Sequence, residues 1–195
     1  MSRKPLLAAV ALVSAFTAAA AGTAAADRRS FGASNSNYTS NGKFGLGLEL
    51  GAPSGLNGKF FLSPNRALNF GIGWLYDQGN FNNRNYARNG GIHLYLDHLW
   101  HPISLSDNPT FKLPLYIGVG GAFWTFDSGR DRINNNVSAV AVRVPFGIAF
   151  DFNKIPLDVF AQLTLVVDLF FGDYGSEYGH FGPGLEGSIG ARFWF

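Results

Sequence analysis

The sequence lacks cysteine altogether and has little charge, since only 14% of its residues are Asp, Glu, Lys or Arg. Without cysteine, neither a disulfide framework nor a Cys-ligated metal centre can hold the chain together. From Lys43 onward no stretch has the 3.6-residue period of an amphipathic helix. What the chain has in quantity is 25 glycines and 19 phenylalanines, which is unusual for a soluble domain with so few charges.

The first 26 residues predict a secretory signal peptide. Arg3 and Lys4 precede an uncharged, alanine-rich run that closes on Ala24, Ala25 and Ala26, and this order is typical of a cleaved leader. A retained transmembrane helix is the alternative, but the alanine content and the polar residues 27–42 that follow disfavour it. Because no cysteine follows the apolar run, a lipoprotein anchor is excluded. We expect a polar N-terminal periplasmic segment over residues 27–42.

Removal of this leader also removes the net charge. The 15 basic residues exceed the 13 acidic ones by two, and the leader holds two cations and no acid. The pI of 9.0 for the whole chain therefore supports neither nucleic-acid binding nor a basic membrane-surface patch. We expect no nucleic-acid partner and no cofactor.

The rest of the chain, residues 43–195, is predicted to form a β-barrel. Alternation of apolar and polar residues with a period of two recurs in eight segments, each closed by Gly, Pro, Asn or Asp. All eight can be joined by hairpin connections, which predicts an all-β fold, an eight-stranded antiparallel transmembrane β-barrel with an up-and-down meander. The segments are 43–51, 56–62, 67–76, 90–100, 113–126, 137–150, 157–169 and 184–195.

Alternation alone does not decide which face lies inside, so a soluble lipocalin-like barrel with an apolar cavity is the alternative. The less apolar face is rich in glycine and sparsely charged, which is unusual for a soluble exterior but typical of the interior of a small membrane barrel. We therefore predict an interior polar network. Its members are Glu49, Lys59, Asp97, Arg143, Asp158, Gln162, Asp168, Glu186 and Arg192.

Unpaired charges are costly in a low-dielectric interior, so we expect these groups to pair with one another. Closure of the last strand on the first predicts that Glu49 lies near Arg192. Arg143 is expected to approach Gln162 and Thr164 on the next strand. The inward acids outnumber the cations, so some must lie near the water-filled ends or be protonated.

Aromatic residues close to strand ends predict a girdle at the bilayer–water boundary, which amphipathic rings favour. In a soluble barrel they would concentrate midway, in the cavity. The predicted girdle comprises Trp74, Trp100, Trp124, Phe193, Trp194 and Phe195.

Three long connections, residues 77–89, 127–136 and 170–183, fall outside the cell if both termini lie in the periplasm. Residues 101–112 then form a long inner connection, which fits this asymmetry imperfectly. Four arginines in two of the outer loops are candidates for phosphate contacts in lipopolysaccharide; the alternative is solvated charges partly offset by nearby aspartates. They are Arg84, Arg88, Arg130 and Arg132.

The final strand must close against the first, because an open edge in lipid leaves backbone groups unpaired. Phe193 and Phe195 share the lipid-facing parity with Leu185 and Ile189. This terminal aromatic strand resembles the signal by which the assembly machinery recognises outer-membrane barrels. The resemblance implies that machinery as a partner.

Several further stretches resemble a family of small bacterial outer-membrane β-barrel proteins catalogued as a domain of unknown function. They are GAPSGLNGKFFLS (51–63), DHLWHP (97–102), LPLYIGVGG (113–121), VRVPFGIAF (142–150), PLDVF (156–160) and the terminal GSIGARFWF. His98 and Asn57 stand where the family usually has Tyr and Ser. The resemblance implies the architecture and a bacterial outer-membrane location, and it leaves the activity open.

Residues that could carry chemistry are few. Ser128, Asp127 and His180 are the only pieces from which a lipid-modifying barrel enzyme could be built, and they match no motif of such enzymes. His180 with Asp173 and Glu177 is better explained as part of a solvated loop than as a metal site. We therefore predict no catalytic residue and no metal.

His98 and His101 differ in parity along their strand, so an interfacial role explains them better than shared ligation. Pro145 lies inside a predicted strand, where it removes a ladder hydrogen bond, and we expect a bulge or a local opening there.

The sequence as a whole predicts a monomeric outer-membrane barrel with a plugged polar interior. It would act structurally or as a surface-interaction protein through its outer loops, with membrane lipid and lipopolysaccharide as partners. A narrow pore for small solutes is the alternative. A soluble binding protein is the third alternative and an enzyme is the fourth.

Overall fold

A computed structural model describes residues 38–75, 79–80, 91–127, 136–171 and 181–195. Over these residues the regular secondary structure is β-strand, and no helix there is long and apolar enough to cross a membrane. The strands are β1 (Phe44–Gly51), β2 (Ser54–Ser63), β3 (Arg66–Leu75), β4 (Gly79–Asn80), β5 (Gly91–Asp107), β6 (Phe111–Asp127), β7 (Asn136–Phe152), β8 (Leu157–Phe171) and β9 (Phe181–Trp194).

Eight of these strands form a closed barrel. β1, β2, β3, β5, β6, β7, β8 and β9 each pair antiparallel with the next in this order, and β9 pairs back onto β1. Every long strand therefore has a partner on both sides. This confirms the predicted eight-stranded antiparallel meander.

The two-residue strand β4 adds to the barrel wall beside β9. The register of β1 with β9 stops where Gly51 pairs with Ser188. Beyond that point, Gly79 and Asn80 pair with Leu185 and Gly184. β4 thus takes the place of β1 beside β9 beyond the point where β1 ends and the chain turns back into β2.

The alternation of residue types becomes an alternation of faces, because successive side chains of a strand point to opposite sides of the sheet. Outside, the exposed positions are apolar, and large side chains such as Leu50 and Ile189 are 65% and 59% exposed. Inside, buried polar and charged side chains are interleaved with glycine, alanine and aromatic residues. β5 is an example, with Ile92, Leu94 and Leu96 outside and His93, Tyr95 and Asp97 inside. This is the reverse of a soluble barrel with an apolar cavity.

The inner connection predicted over residues 101–112 is much shorter in the structure. β5 continues to Asp107 and β6 begins at Phe111, so only residues 108–110 lie between them. β5 is irregular near Pro102, where its register with β6 shifts between Trp100 and Ile103. Pro102 has no N–H to donate to the β-ladder, and a bulge at this point takes the proline out of the regular pairing.

Pro145 opens the ladder on one side, as the sequence predicts. With β8 the register is continuous, and Pro145 pairs with Thr164. With β6 the pairing passes from Ile117–Phe146 to Gly120–Arg143 without the two pairs between them. The register itself does not shift, so the result is a local opening without a bulge.

Two of the predicted girdle residues lie inside the barrel. Trp74 and Trp100 are 40% and 37% exposed on the outer face, whereas Trp124 and Trp194 are buried. Phe193 and Phe195 are exposed on either side of Trp194. The prediction for Trp124 and Trp194 was wrong. It was based on their position near strand ends, whereas the alternation along each strand makes both residues point inward.

Closure of the barrel at β1 and β9 leaves no room for a side chain at Gly47. A Cβ atom there would lie 1.9 Å from the carbonyl oxygen of Ala191, so the backbones must separate. We expect Gly47→Ala to destabilise the barrel by about 1–3 kcal/mol. The measurement is urea unfolding in detergent, with the shift in gel mobility of the unheated barrel as a check on folding.

Gly187→Ala is the matched control in β9, because a Cβ there would lie 3.5 Å from Leu163 Cδ2, an ordinary contact. Equal unfolding midpoints for the two variants would contradict this account of strand closure.

Candidate functional site in the barrel interior

All nine residues of the predicted interior network are buried inside the barrel. The least buried of the nine is Gln162, at 5% exposure. The set consists of Glu49, Lys59, Asp97, Arg143, Asp158, Gln162, Asp168, Glu186 and Arg192. The structure brings eight of them together in three groups along the barrel, and Asp168 lies apart from these groups, bonded to Trp124.

The first group centres on Arg143. Its guanidinium bonds to Glu186 through Nη1 and to Asp97 Oδ1 through Nε at 3.2 Å. His93 Nε2 lies 3.4 Å from the other oxygen of Glu186. The Arg143 guanidinium therefore pairs with two buried carboxyl groups, and His93 contacts one of them.

Gly120 makes this arrangement possible. Asp97 pairs with Gly120 on β6, and Gly120 pairs with Arg143 on β7, so the three lie in one row across the sheet. A Cβ atom at Gly120 would lie 2.1 Å from Asp97 Oδ1. The missing side chain lets Arg143 and Asp97 meet over an intervening strand.

The second group centres on Arg192. Its Nε and Nη2 donate to Asp158 Oδ1 and Oδ2, each at 2.9 Å, in a two-pronged ion pair with the strand neighbour. Nη1 donates to the side-chain oxygens of Asn57 and Asn69 at 3.1 and 3.2 Å. The guanidinium carbon lies 4.1 Å from the centre of the Phe160 ring.

Tyr95 and Glu49 join these two groups. The Tyr95 hydroxyl donates to Glu49 Oε1 at 2.7 Å, and the Arg143 guanidinium carbon lies 4.4 Å from the centre of the Tyr95 ring. Asn57 donates to the Tyr95 hydroxyl at 2.5 Å and contacts Arg192 as well. A continuous chain of polar contacts thus runs from His93 to Asp158.

The third group lies nearer the end of the barrel at which β1 begins and β9 finishes, which we call the terminus end. Lys59 Nζ is 2.8 Å from His101 Nε2 and lies over the rings of Phe61 and Tyr116, at 5.1 and 4.8 Å from their centres. The Tyr116 hydroxyl donates to Gln162 Oε1 at 3.3 Å. Lysine and histidine are here enclosed by aromatic rings.

Glu49 lies near Arg192, as predicted, with Asn57 between them: Asn57 Nδ2 donates to Glu49 Oε2 at 3.5 Å, and Asn57 Oδ1 accepts from Arg192 Nη1 at 3.1 Å. Glu49 accepts from Tyr95, whereas Arg192 pairs with Asp158, because the register puts Asp158 directly opposite Arg192 and puts Gly190 opposite Glu49.

Arg143 is bonded to Asp97 and Glu186, and the predicted partners Gln162 and Thr164 bond to each other. The positions opposite Arg143 are Gly120 and Val166, and neither has a polar side chain for it.

Acids outnumber cations inside the described part of the barrel, where Lys59, Arg143 and Arg192 are the buried lysine and arginines. Three of the acids accept from neutral donors: Glu49 from Tyr95, Asp151 from Tyr38 and Asp168 from Trp124. Asp168 Oδ1 accepts from Trp124 Nε1 at 2.9 Å near the end of the barrel opposite the termini. The buried acids are Glu49, Asp97, Asp151, Asp158, Asp168 and Glu186.

Several interior residues were missed by the sequence prediction. His93, Tyr95, His101 and Tyr116 are all buried and contribute to these groups, and Asp151 is buried where it accepts from Tyr38 and Asn41. The signal was parity: His93, Tyr95 and His101 lie at even spacings from Asp97, which was assigned to the interior. His101 therefore lies inside the barrel, while His98 lies half-buried against Trp100.

Other predicted residues lie outside the described part of the chain. These include the leader, most of the three outer connections, Ser128, Asp173, Glu177 and His180, and the arginines at positions 84, 88, 130 and 132. Among the described residues, no group of three or more His, Asp or Glu side chains is placed to hold a metal ion.

Comparison with known proteins supports the architecture. No family model and no curated protein matches the chain, so the family resemblance stays a prediction. The crystal structure of the N-terminal β-barrel domain of Pseudomonas aeruginosa OprF is similar, with a TM-score of 0.50 and 14% sequence identity, over 77% of this chain and 93% of that one. At this identity the likeness concerns the fold alone.

The first group gives a stability prediction. Arg143→Met keeps much of the side-chain length but leaves Asp97 and Glu186 without their cation, so we expect the free energy of unfolding to fall by about 3–5 kcal/mol. The measurement is urea unfolding in lipid vesicles. Adding Asp97→Asn and Glu186→Gln should recover part of the loss, because the uncompensated carboxylates are then gone.

Lys154→Met is the control, since Lys154 is an exposed cation in the connection between β7 and β8. An unfolding free energy of Arg143→Met equal to that of Lys154→Met would contradict the assigned role of this group.

Proposed function

We propose that the protein is a bacterial outer-membrane β-barrel with a plugged interior, and that it acts structurally or as a surface-interaction protein. Four features support this proposal: the apolar outer face, the arrangement of the connections, the polar interior and the aromatic final strand. The interior is the observation that carries it.

The outer face supports a membrane location. Large apolar side chains cover it on all eight barrel strands, for example Leu48, Ile117, Phe146 and Leu163. In water such a continuous apolar surface would associate or aggregate. In a bilayer it matches lipid, and the closed sheet leaves no unpaired edge.

The connections support an orientation. The end with the chain termini has short turns at residues 64–65, 108–110 and 153–156. Longer segments of the chain separate the strands at the opposite end, apart from the short link between β1 and β2. Short periplasmic turns and longer outer loops are the usual asymmetry, so we propose that the end at which β1 begins and β9 finishes faces the periplasm.

The interior supports a plug. An eight-stranded barrel is only wide enough for its own side chains to fill it. Here Arg143 reaches Asp97 and Glu186, each two strands away, while Arg192 pairs with Asp158 on the neighbouring strand. The other end of the Arg192 guanidinium reaches the amides of Asn57 and Asn69 on β2 and β3, and the Tyr95 ring lies against Arg143. Ordinary solute flow would have to break these pairs, so function is expected at the outer loops, and no catalytic role is proposed.

The outer loops would contact lipopolysaccharide through Arg84, Arg88, Arg130 and Arg132. This part of the proposal rests on sequence, because guanidinium groups pair well with phosphate oxygens. Assembly through the terminal strand of Phe193 and Phe195 is proposed on the same footing.

A narrow pore is the second candidate. Over the part of the chain that the structure describes, the excess of buried acids over buried lysine and arginine is the observation that favours it. Such an interior would select cations if a pathway opened between the groups.

Quenching of tryptophan fluorescence tests the membrane location and the orientation of the side chains. In variants that keep one tryptophan each, brominated phospholipids should quench Trp74 and Trp100, which are exposed on the outer face. Trp124 and Trp194 should be quenched much less, because they are buried inside. An absence of quenching at all four positions in reconstituted protein would contradict the lipid-facing assignment.

Single-channel recording in planar bilayers tests the plug. We expect the wild-type barrel to be silent and Arg192→Ala to leak, because this variant removes the guanidinium that holds Asp158, Asn57 and Asn69 together. Lys154→Ala, on an exposed turn, should stay silent. Discrete conductance steps from the wild type would overturn the plug and favour the pore.

A further inference from the structure

The mouth of the barrel at the terminus end is covered by residues 38–42, which we call the strap. The strap precedes β1, whose pairing registers begin at Phe44 and Gly45. Its first residue, Tyr38, is 2% exposed. A residue outside the strands is thus as buried as the interior network itself.

Tyr38 lies in a socket made by side chains from several strands. Its ring stacks on His101 with centres 5.2 Å apart and packs against Phe61 at 5.9 Å. Its hydroxyl donates to Asp151 Oδ2 at 3.0 Å. The socket therefore draws on β2, β5 and β7.

Asn41 provides a second attachment on the far side of the strap. Its Nδ2 lies 3.0 Å from Asp151 Oδ1 and 3.0 Å from Asn153 Oδ1. Lys112, on β6, donates to the Thr39 carbonyl at 2.8 Å and to Asn41 Oδ1 at 3.1 Å. Asp151 thus receives both attachments, one on each oxygen.

Gly42 lets the strap pass close to the end of β9. A Cβ atom at this position would lie 2.7 Å from Trp194 Cβ. Trp194 is turned inward and belongs to the same buried cluster as Tyr38 and Phe61. The inward tryptophan is therefore part of the wall against which the strap lies.

The chemistry of Tyr38 suits a lasting attachment. Burial, together with the Asp151 carboxyl group, holds the pKa of the Tyr38 phenol well above its usual range. The phenol therefore stays protonated and donates to Asp151 at any physiological pH.

We propose that the mouth is a socket for an aromatic side chain, and that the strap is its resident occupant and a displaceable cap. Side chains hold the cap in place, so it can leave while the strands stay paired. Its departure opens a blind vestibule that reaches the Lys59–His101 pair and ends at the Arg192 group. The assignment of this vestibule to the periplasm rests on the proposed function.

The absence of cysteine from the chain allows a direct test with single reporter cysteines. Ala149 is buried in the cluster that contains Tyr38, and Ala139 is equally buried on the same strand, 10 residues nearer the opposite end. Ala149→Cys and Ala139→Cys are made in otherwise wild-type protein and in Tyr38→Ala. The reaction rate with a charged, membrane-impermeant thiol reagent is measured in folded, reconstituted barrels.

We expect Tyr38→Ala to speed labelling at position 149 roughly tenfold or more, since a hydrogen bond to a carboxyl group is lost together with the ring contacts. Labelling at position 139 should not change. Asn41→Ala, which alters an exposed residue and leaves Tyr38 in place, should give a smaller increase at position 149. Thr39→Ala is the matched control, because it keeps the carbonyl that Lys112 contacts, and it should have no effect.

Equal labelling of position 149 with and without Tyr38 and Asn41 would overturn the cap. Equal acceleration at positions 149 and 139 would also overturn it, because the whole barrel would then have loosened. Measuring the conductance of the same proteins distinguishes failure of the cap from failure of the plug. Channel steps from the wild type would refute the plug alone. Faster labelling without conductance would support both the cap and the plug.

Discussion

Pairing of β1 with β9 is the constraint on which the rest of the structure depends. Once the sheet closes, every long strand has two neighbours, and a backbone that would otherwise expose an edge can lie in an apolar environment. Closure also makes each side chain either inward or outward, with no third choice. The apolar outer surface and the polar interior both follow from this.

The small circumference of the closed sheet then dictates how the interior is filled. Charged side chains that point inward cannot reach bulk water, so they must meet one another or neutral donors. Arg143 meets Asp97 across Gly120, and Arg192 meets Asp158 on the neighbouring strand. Glycine at position 120 contributes by leaving room for long side chains from the strands beside it.

The two ends of the barrel differ in how they are closed. At the terminus end, the strap brings Tyr38 and Asn41 onto Asp151, in front of the aromatic enclosure of Lys59. At the opposite end, Trp124 donates to Asp168 inside the barrel. The proposed plug and the proposed cap therefore lie at different depths of the barrel.

Period-two alternation and turn residues were sufficient to predict the eight barrel strands and the inward parity of Glu49, Arg143 and Arg192. The position of a strand and the direction of its side chains are local properties, and the sequence by itself determines them. The contacts between inward residues depend on register and on closure, so only the tertiary structure decided that Arg192 bonds to Asp158 and that Glu49 bonds to Tyr95. The same holds for Tyr38, which is buried by residues up to 113 positions away in the sequence. A local sequence pattern carries no information about contacts at that separation.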